Sequence, residues 1–199
     1  MIPAAEALQR LREGNRRFVN SATSRHSFEF TEAQEPLAII LGCADSRVPA
    51  EIVFDQGLGD LFVIRVAGNI VAPSQVGSVE FAAERYHTRL VVVLGHSQCG
   101  AVLATLEELR RPSESQSRNL RSIVDRVRPS VEPLLAGPHS ADPAALVEQA
   151  VRANVRVSVN QLRHGSEVLE QLIQEQGLAV VGAEYSLETG VVDFFDGVS

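Results

Sequence analysis

Four stretches of the chain are apolar without polar alternation: residues 37–43, 61–66, 90–94 and 178–182. A strand wetted on one face alternates, whereas an unbroken short run suits a strand covered on both faces. Between these runs the spacing turns helical. Leu8, Leu11, Asn15 and Phe18 share one face of a helix over residues 1–18. Ser74, behind Pro73, reads as the N-cap of a helix carrying Val79, Ala82, Ala83 and Tyr86. Residues 100–110 read as a short helix. Val147, Val151, Val155, Val159 and Leu162 form the stripe of a longer one, a reading that rests on spacing because valine is a mediocre helix former. Ser166 caps a further helix that stops at Gly177. Residues 20–35 are polar and irregular. Residues 111–118 and 129–143, the second with four prolines, read as surface loops.

Strands alternating with helices predict an α/β fold. The expectation is a single domain with a mainly parallel β-sheet, about four parallel strands plus a C-terminal antiparallel edge strand at 191–195, flanked by helices. An N-terminal helical arm, residues 1–35, precedes it. In such sheets ligands bind outside the carboxyl ends of the strands.

Composition narrows the class. The 199 residues suffice for one substantial core, and the 45% hydrophobic and 22% charged fractions are those of a globular protein. A net charge of -7 argues against nucleic acid as a partner. No apolar run approaches the roughly 18 residues that span a bilayer. The first 18 residues, with Glu6, Glu13 and several arginines, read as an amphipathic helix rather than an export signal. The expected location is therefore the cytoplasm, where the only two cysteines, Cys43 and Cys99, stay reduced. That favours metal binding over a disulfide.

Both cysteines fall just past predicted strands, in Cys43-Ala44-Asp45-Ser46-Arg47 and His96-Ser97-Gln98-Cys99-Gly100. Two thiolates and one imidazole on neighbouring strand ends make three ligands of a tetrahedral zinc site. Three protein ligands leave the fourth position open, as in a catalytic zinc. Cys99 gains further stabilisation as a thiolate if the helix starts at Gly100. Zinc with two thiolates and a neutral imidazole is formally neutral and acidifies water less than a triply imidazole-bound ion, so its hydroxide form should dominate at mildly alkaline pH. Asp45 can accept a hydrogen bond from the bound water or ligate the metal itself. Arg47 decides between these, because a bidentate guanidinium pair holds a carboxylate away from the ion. His26, His87, His139 and His164 lack ligand spacing and read as solvated or packed side chains. Gly57-Leu58-Gly59 lacks the third glycine of a dinucleotide loop, which counts against a zinc alcohol dehydrogenase.

In combination, C-x-D-x-R and H-x-x-C resemble the zinc signature of the β-class carbonic anhydrases. The resemblance extends through Val48-Pro49, Asp55, residues 59–65, Ala67-Gly68-Asn69, residues 77–81 and residues 182–190. It implies reversible hydration of carbon dioxide to bicarbonate, with one zinc per chain on Cys43, His96 and Cys99. Asp45, paired with Arg47, would orient the zinc-bound hydroxide, and would be a fourth ligand only in a closed state. It also implies substrate-binding roles for Gln34, Phe62, Ala67, Phe81 and Gly100, where Phe81 replaces a frequent tyrosine. Gln34 in that family usually serves the partner subunit's pocket, so a homodimer or tetramer is implied, with the 1–35 arm packing on the partner. Gln34 also points to the branch in which water holds the fourth position. The bicarbonate-regulated branch carries a tryptophan where this chain has Ile40; Arg65 and Tyr185 match the other two positions of that anion site. Two alternatives stand beside this reading: a carbonyl sulfide or carbon disulfide hydrolase on the same scaffold, and a noncatalytic bicarbonate sensor with a closed zinc.

Overall fold

Strand β1, Ala38–Gly42, is buried along its whole length, with Ile39 and Leu41 turned into one hydrophobic layer and Ile40 into the other. The run without alternation therefore reflects burial on both faces, as expected for a central parallel strand. A computed structural model describes residues 4–22, 34–112, 117–138 and 141–198. The chain has two compact units, residues 1–34 and 35–199. In the first, helix α1 covers Ala4–Ala22, and Leu8, Leu11 and Phe18 along it are exposed. No helix among the described residues is long and apolar enough to cross a membrane.

The second unit is built on a five-stranded sheet of order β2-β1-β3-β4-β5. Its other strands are β2 (Leu61–Arg65), β3 (Leu90–His96), β4 (Ala179–Tyr185) and β5 (Val192–Asp196). The first four strands pair in parallel and β5 returns antiparallel on the edge, so the predicted α/β class and strand arrangement hold. Strand β4 runs three residues past the apolar stretch 178–182, because Ala183, Glu184 and Tyr185 continue the ladder against Leu94, Gly95 and His96.

The helices are α2 (Ala50–Val53), α3 (Pro73–Arg85), α4 (Gly100–Arg110), α5 (Arg118–Val131), α6 (Pro143–His164) and α7 (Glu167–Gln176). On one side of the sheet, Ile39, Leu41, Val91, Val93 and Val180 pack with Val79 and Ala82 of α3, Val155, Val159 and Leu162 of α6, and Leu169 and Leu172 of α7. The valine stripe of α6 thus lies on the sheet, and it lies close. A Cβ on Gly95 of β3 would stand 2.5 Å from a Val155 methyl, so only glycine admits the helix at that distance. On the other side, Ile40, Val92, Leu94 and Val181 pack with Val48 and Ala50.

Two sequence expectations are corrected. Residues 129–143 are not one loop: α5 continues to Val131 with Pro129 inside it, and a 3-10 turn covers Glu132–Ala136. Val124, Val127 and Val131 lie fully or almost fully buried at i, i+3 and i+7, and that burial outweighs the single backbone bond lost at Pro129. Helix α3 starts one residue before Ser74: Pro73 occupies the first turn, where its missing N–H is no loss, and Ala72 precedes it. Ser166 does cap α7, accepting from the Leu169 amide, and Gly177 follows as its C-cap. His26 and His139, and residues 23–33 and 113–116 of two expected loops, lie outside the described residues. His87 and His164 are exposed, as expected of solvated side chains.

Candidate metal centre

Cys43 follows the last residue of β1, and His96 ends β3, the strand beside it. Parallel pairing therefore delivers both to one end of the sheet. Cys99 is the N-cap of α4, directly after a turn at Ser97-Gln98. One ligand atom from each of the three residues lies within 4.8 Å of the others, and all three residues are buried. The thiols are free, with the sulfurs 4.0 Å apart. Two sulfurs about 2.3 Å from one tetrahedral zinc stand about 3.8 Å apart, so the observed spacing fits that ion.

His96 supplies a sharper test. Its Nδ1 lies 2.9 Å from the Ser97 carbonyl oxygen, which can only accept, so Nδ1 carries the proton. That leaves Nε2 with a lone pair, in a residue that is 0% exposed, and Nε2 makes no hydrogen bond. A buried nitrogen without a partner is costly unless something absent from the protein itself fills the position. The donor set answers which: imidazole nitrogen and two thiolates suit zinc.

The protons of the two thiols are unequal. The Cys99 thiol hydrogen-bonds to the Cys43 sulfur and favours its thiolate, with further help from His96 and the Gly68 amide, so the Cys43 pKa falls well below that of a free thiol despite burial. Cys99 is pushed up, because its own ionisation would give up that hydrogen bond, in a buried place and beside a charge of the same sign. Burial lowers His96, but the neighbouring Cys43 thiolate outweighs it and the net shift is upward. A divalent cation reverses this strain by favouring both thiolates at once.

Asp45 and Arg47 form the bidentate pair expected of them. Arg47 Nε lies 2.9 Å from Asp45 Oδ1 and Nη2 lies 2.8 Å from Oδ2, and the Arg47 amide also donates to Oδ1 at 3.0 Å. These bonds hold the Asp45 carboxyl far below the usual carboxylate range. Its Oδ2 is 3.9 Å from His96 Nε2, so the carboxylate borders the metal position.

Residues outside the predicted set hold the Cys43 loop. Arg65 donates from Nε to the Cys43 carbonyl at 3.0 Å and from Nη2 to the Asp45 carbonyl. The guanidinium matched to an anion site in the sequence is thus bound to the ligand loop, and Ile40, in place of the tryptophan, is a core residue of β1. The Gly68 amide donates to the Cys43 sulfur at 3.4 Å. Gly68 has φ +72°, and a Cβ there would stand 3.0 Å from the Ala101 Cβ. Two buried side chains of α6 fix this turn: Asn154 Nδ2 donates to the Gly68 carbonyl at 2.8 Å, and Ser158 Oγ to the Asn69 carbonyl at 3.0 Å. A glycine flanked by Ala67 and Asn69 was the available sequence signal for the turn; the helix residues gave none.

The remaining predicted residues divide. Ala67 opens the Gly68 turn and Gly100 is the first residue of α4, both next to ligand loops. Phe62 pairs with Ile39, four positions before Cys43, or about 13 Å along the strand. It clusters with Phe81, at a ring separation of 6.4 Å, and with Tyr86. Phe81 is half exposed. Gln34, exposed, belongs to the first unit.

Comparison with known proteins agrees with this site. The sequence model of the family described as "Carbonic anhydrase" matches residues 38–192. A protein named carbonic anhydrase from Mycolicibacterium smegmatis is 40% identical over 193 residues, covering 94% of this chain and 91% of its own. Among solved structures, a Coccomyxa β-carbonic anhydrase in complex with acetazolamide superposes with a TM-score of 0.81 at 26% identity, covering 94% of this chain and 86% of that one. A tetrameric β-carbonic anhydrase from Sordaria macrospora, 23% identical over 96% of this chain and 97% of its own, shares the fold with a TM-score of 0.80.

Proposed function

This chain belongs to the β-carbonic anhydrase family, and on that premise we propose that it hydrates carbon dioxide reversibly to bicarbonate and a proton at one zinc held by Cys43, His96 and Cys99. The observation that carries the reading is His96 Nε2, buried, without a hydrogen bond, and grouped with two free thiols. When bound, zinc supplies Lewis acidity that makes a water nucleophilic near neutral to mildly alkaline pH.

The chain's own residues do the rest. Asp45 accepts a hydrogen bond from the attacking water and turns a lone pair toward the substrate carbon. Arg47 keeps both Asp45 oxygens in its fork, so the carboxylate serves as an acceptor and is kept from ligating the metal. Arg65 and Gly68 fix the loop that carries both Cys43 and Asp45.

The substrate pocket draws on two subunits. Ala67 and Gly100 line it from the chain that holds the metal. Phe62, which clusters with Phe81, sits about 13 Å of strand away from Cys43 in the same chain, so a second copy brings the pair, with Gln34, to the site. An apolar aromatic wall suits carbon dioxide, which has no charge and no donor. The protein is accordingly a homodimer or a tetramer built of dimers, with the 1–35 arm packing on the partner; the Sordaria relative is described as tetrameric.

The test pairs metal analysis with stopped-flow hydration of carbon dioxide. Zinc near one per chain and turnover that is lost with the metal in Cys43→Ser support the assignment. Hydrolysis of carbonyl sulfide or carbon disulfide exceeding hydration of carbon dioxide would replace the substrate. Full zinc with no turnover at alkaline pH would leave a noncatalytic sensor.

A further inference from the structure

His96 and Cys99 are separated by only two residues, and one of them, Gln98, has φ +56°. A side chain in the left-handed region is disfavoured and persists where its surroundings hold it. The surroundings here converge on one carboxylate, Glu188, in the turn between β4 and β5. Glu188 Oε1 accepts from Gln98 Nε2 at 2.6 Å, and Oε2 accepts from Ser97 Oγ at 3.0 Å and from Ser186 Oγ at 3.1 Å. Ser97 Oγ in turn accepts from the Leu187 amide at 2.9 Å, so its single proton is committed to Glu188. The Ser97 amide donates to the Tyr185 carbonyl at 2.9 Å. The turn bearing Glu188 is tied as well: the Gly190 amide bonds the Ser186 carbonyl at 2.9 Å, and the Thr189 amide bonds Ser186 Oγ at 3.1 Å.

We propose that Glu188 is a positioning residue, a clasp that holds the Ser97-Gln98 turn in the shape that aims His96 Nε2 and Cys99 Sγ at one ion. The clasp reaches the ligand through one residue. The Ser97 carbonyl takes the His96 Nδ1 proton and thereby leaves Nε2 free. The Ser97 hydroxyl and the Gln98 amide of the same turn are what Glu188 grips. Glu188 makes its hydrogen bonds to Ser97, Gln98 and Ser186 rather than to His96 or Cys99, so its effect is on ligand geometry.

This inference rests on the metal-centre reading, and its test separates the two. Zinc-loaded wild type and Glu188→Ala are mixed with a chelator, and the rate of zinc transfer is followed together with the melting temperature. The same pair is loaded with cobalt(II), whose visible bands report ligand geometry. The expected result is zinc release about 10- to 100-fold faster in Glu188→Ala, with shifted cobalt bands. Glu188→Gln, which keeps an acceptor for the hydroxyls, should fall between. In a Gln98→Gly background, where glycine adopts the left-handed turn unaided, Glu188→Ala should accelerate release by a smaller factor. Zinc release and cobalt bands equal to wild type, with or without a lower melting temperature, would overturn the clasp and leave Glu188 a structural residue. Equal factors in both backgrounds would overturn its link to the Gln98 turn. Should Glu188→Ala fail to fold, Glu188→Gln against Gln98→Gly carries the comparison. A wild type that binds neither metal would instead overturn the metal-centre reading.

Discussion

Arg47 grips both carboxylate oxygens of Asp45, at 2.9 and 2.8 Å, while one of those oxygens stands only 3.9 Å from the unpartnered nitrogen of His96. The carboxylate therefore stands beside the Cys43, His96 and Cys99 cluster, held by the Arg47 guanidinium and the Arg47 amide. Replacing Arg47 with alanine should free Asp45 to take the fourth position. The expected outcome is hydration slower by about 10- to 100-fold with zinc still bound at the wild-type ratio. Arg47→Lys should recover little, because an ammonium cannot reproduce the fork. Stopped-flow kinetics beside zinc analysis checks this, and unchanged turnover would contradict the role given to Arg47.

The Gly68 turn should resist substitution. With φ +72° and the Ala101 Cβ 3.0 Å from a new Cβ, Gly68→Ala meets both backbone strain and a clash. A loss of about 1–3 kcal/mol of stability is expected, with weaker metal binding because the amide that donates to Cys43 moves. Denaturant unfolding of metal-free and zinc-loaded protein measures the two effects separately.

Asn154 and Ser158 should differ in a predictable order. Asn154 is 2% exposed, donates to the Gly68 carbonyl and accepts from Ser130 Oγ at 3.4 Å. Asn154→Ala removes the donor to the buried Gly68 carbonyl and a longer contact with Ser130, whose hydroxyl also donates to the Val127 carbonyl at 2.6 Å, and should lower stability by about 1–3 kcal/mol. Ser158→Ala strands only the Asn69 carbonyl and should lower it by about 0.5–1.5 kcal/mol. Chemical denaturation of both variants tests the ranking.

Glu184, half-buried on β4, gives a pH-dependent prediction. Burial raises its pKa above the ordinary glutamate value, and Arg152 at 3.5 Å compensates only in part. A raised folded pKa means that the folded protein holds this proton more tightly than the unfolded chain. Its contribution to stability is present below the ordinary value of 4.5 and is lost as pH rises through the folded value. Glu184→Gln should therefore leave the melting temperature little changed near pH 4 and raise it at about pH 8. A lower melting temperature at alkaline pH would contradict this.

The strands and the cluster of Cys43, His96 and Cys99 were legible because each has a local signature: apolar runs for β1 to β4, and cysteine or histidine at or just past the ends of two of them. The pairing of Asp45 with Arg47 was legible for the same reason, since two positions separate them. Helix α5 was not, because Pro129 and a run of arginines mask three valines at helical spacing, and only the tertiary layer against α4 and α6 shows that those valines are covered. The supports of the ligand loops were not legible either. Arg65 reaches back 22 residues to the Cys43 carbonyl, Asn154 reaches 86 residues to Gly68, and Glu188 reaches 90 to Gln98. Such contacts exist only once the sheet sets its strand order, and an asparagine on a helix looks no different for making one.

The zinc assignment is that Cys43, His96 and Cys99 hold one ion required for hydration of carbon dioxide. Its most direct test measures zinc content and hydration rate on the same purified samples of wild type and Cys43→Ser at mildly alkaline pH. Wild type should carry about one zinc per chain and turn over rapidly, and the variant should lose both. Rapid turnover by metal-free Cys43→Ser would contradict it.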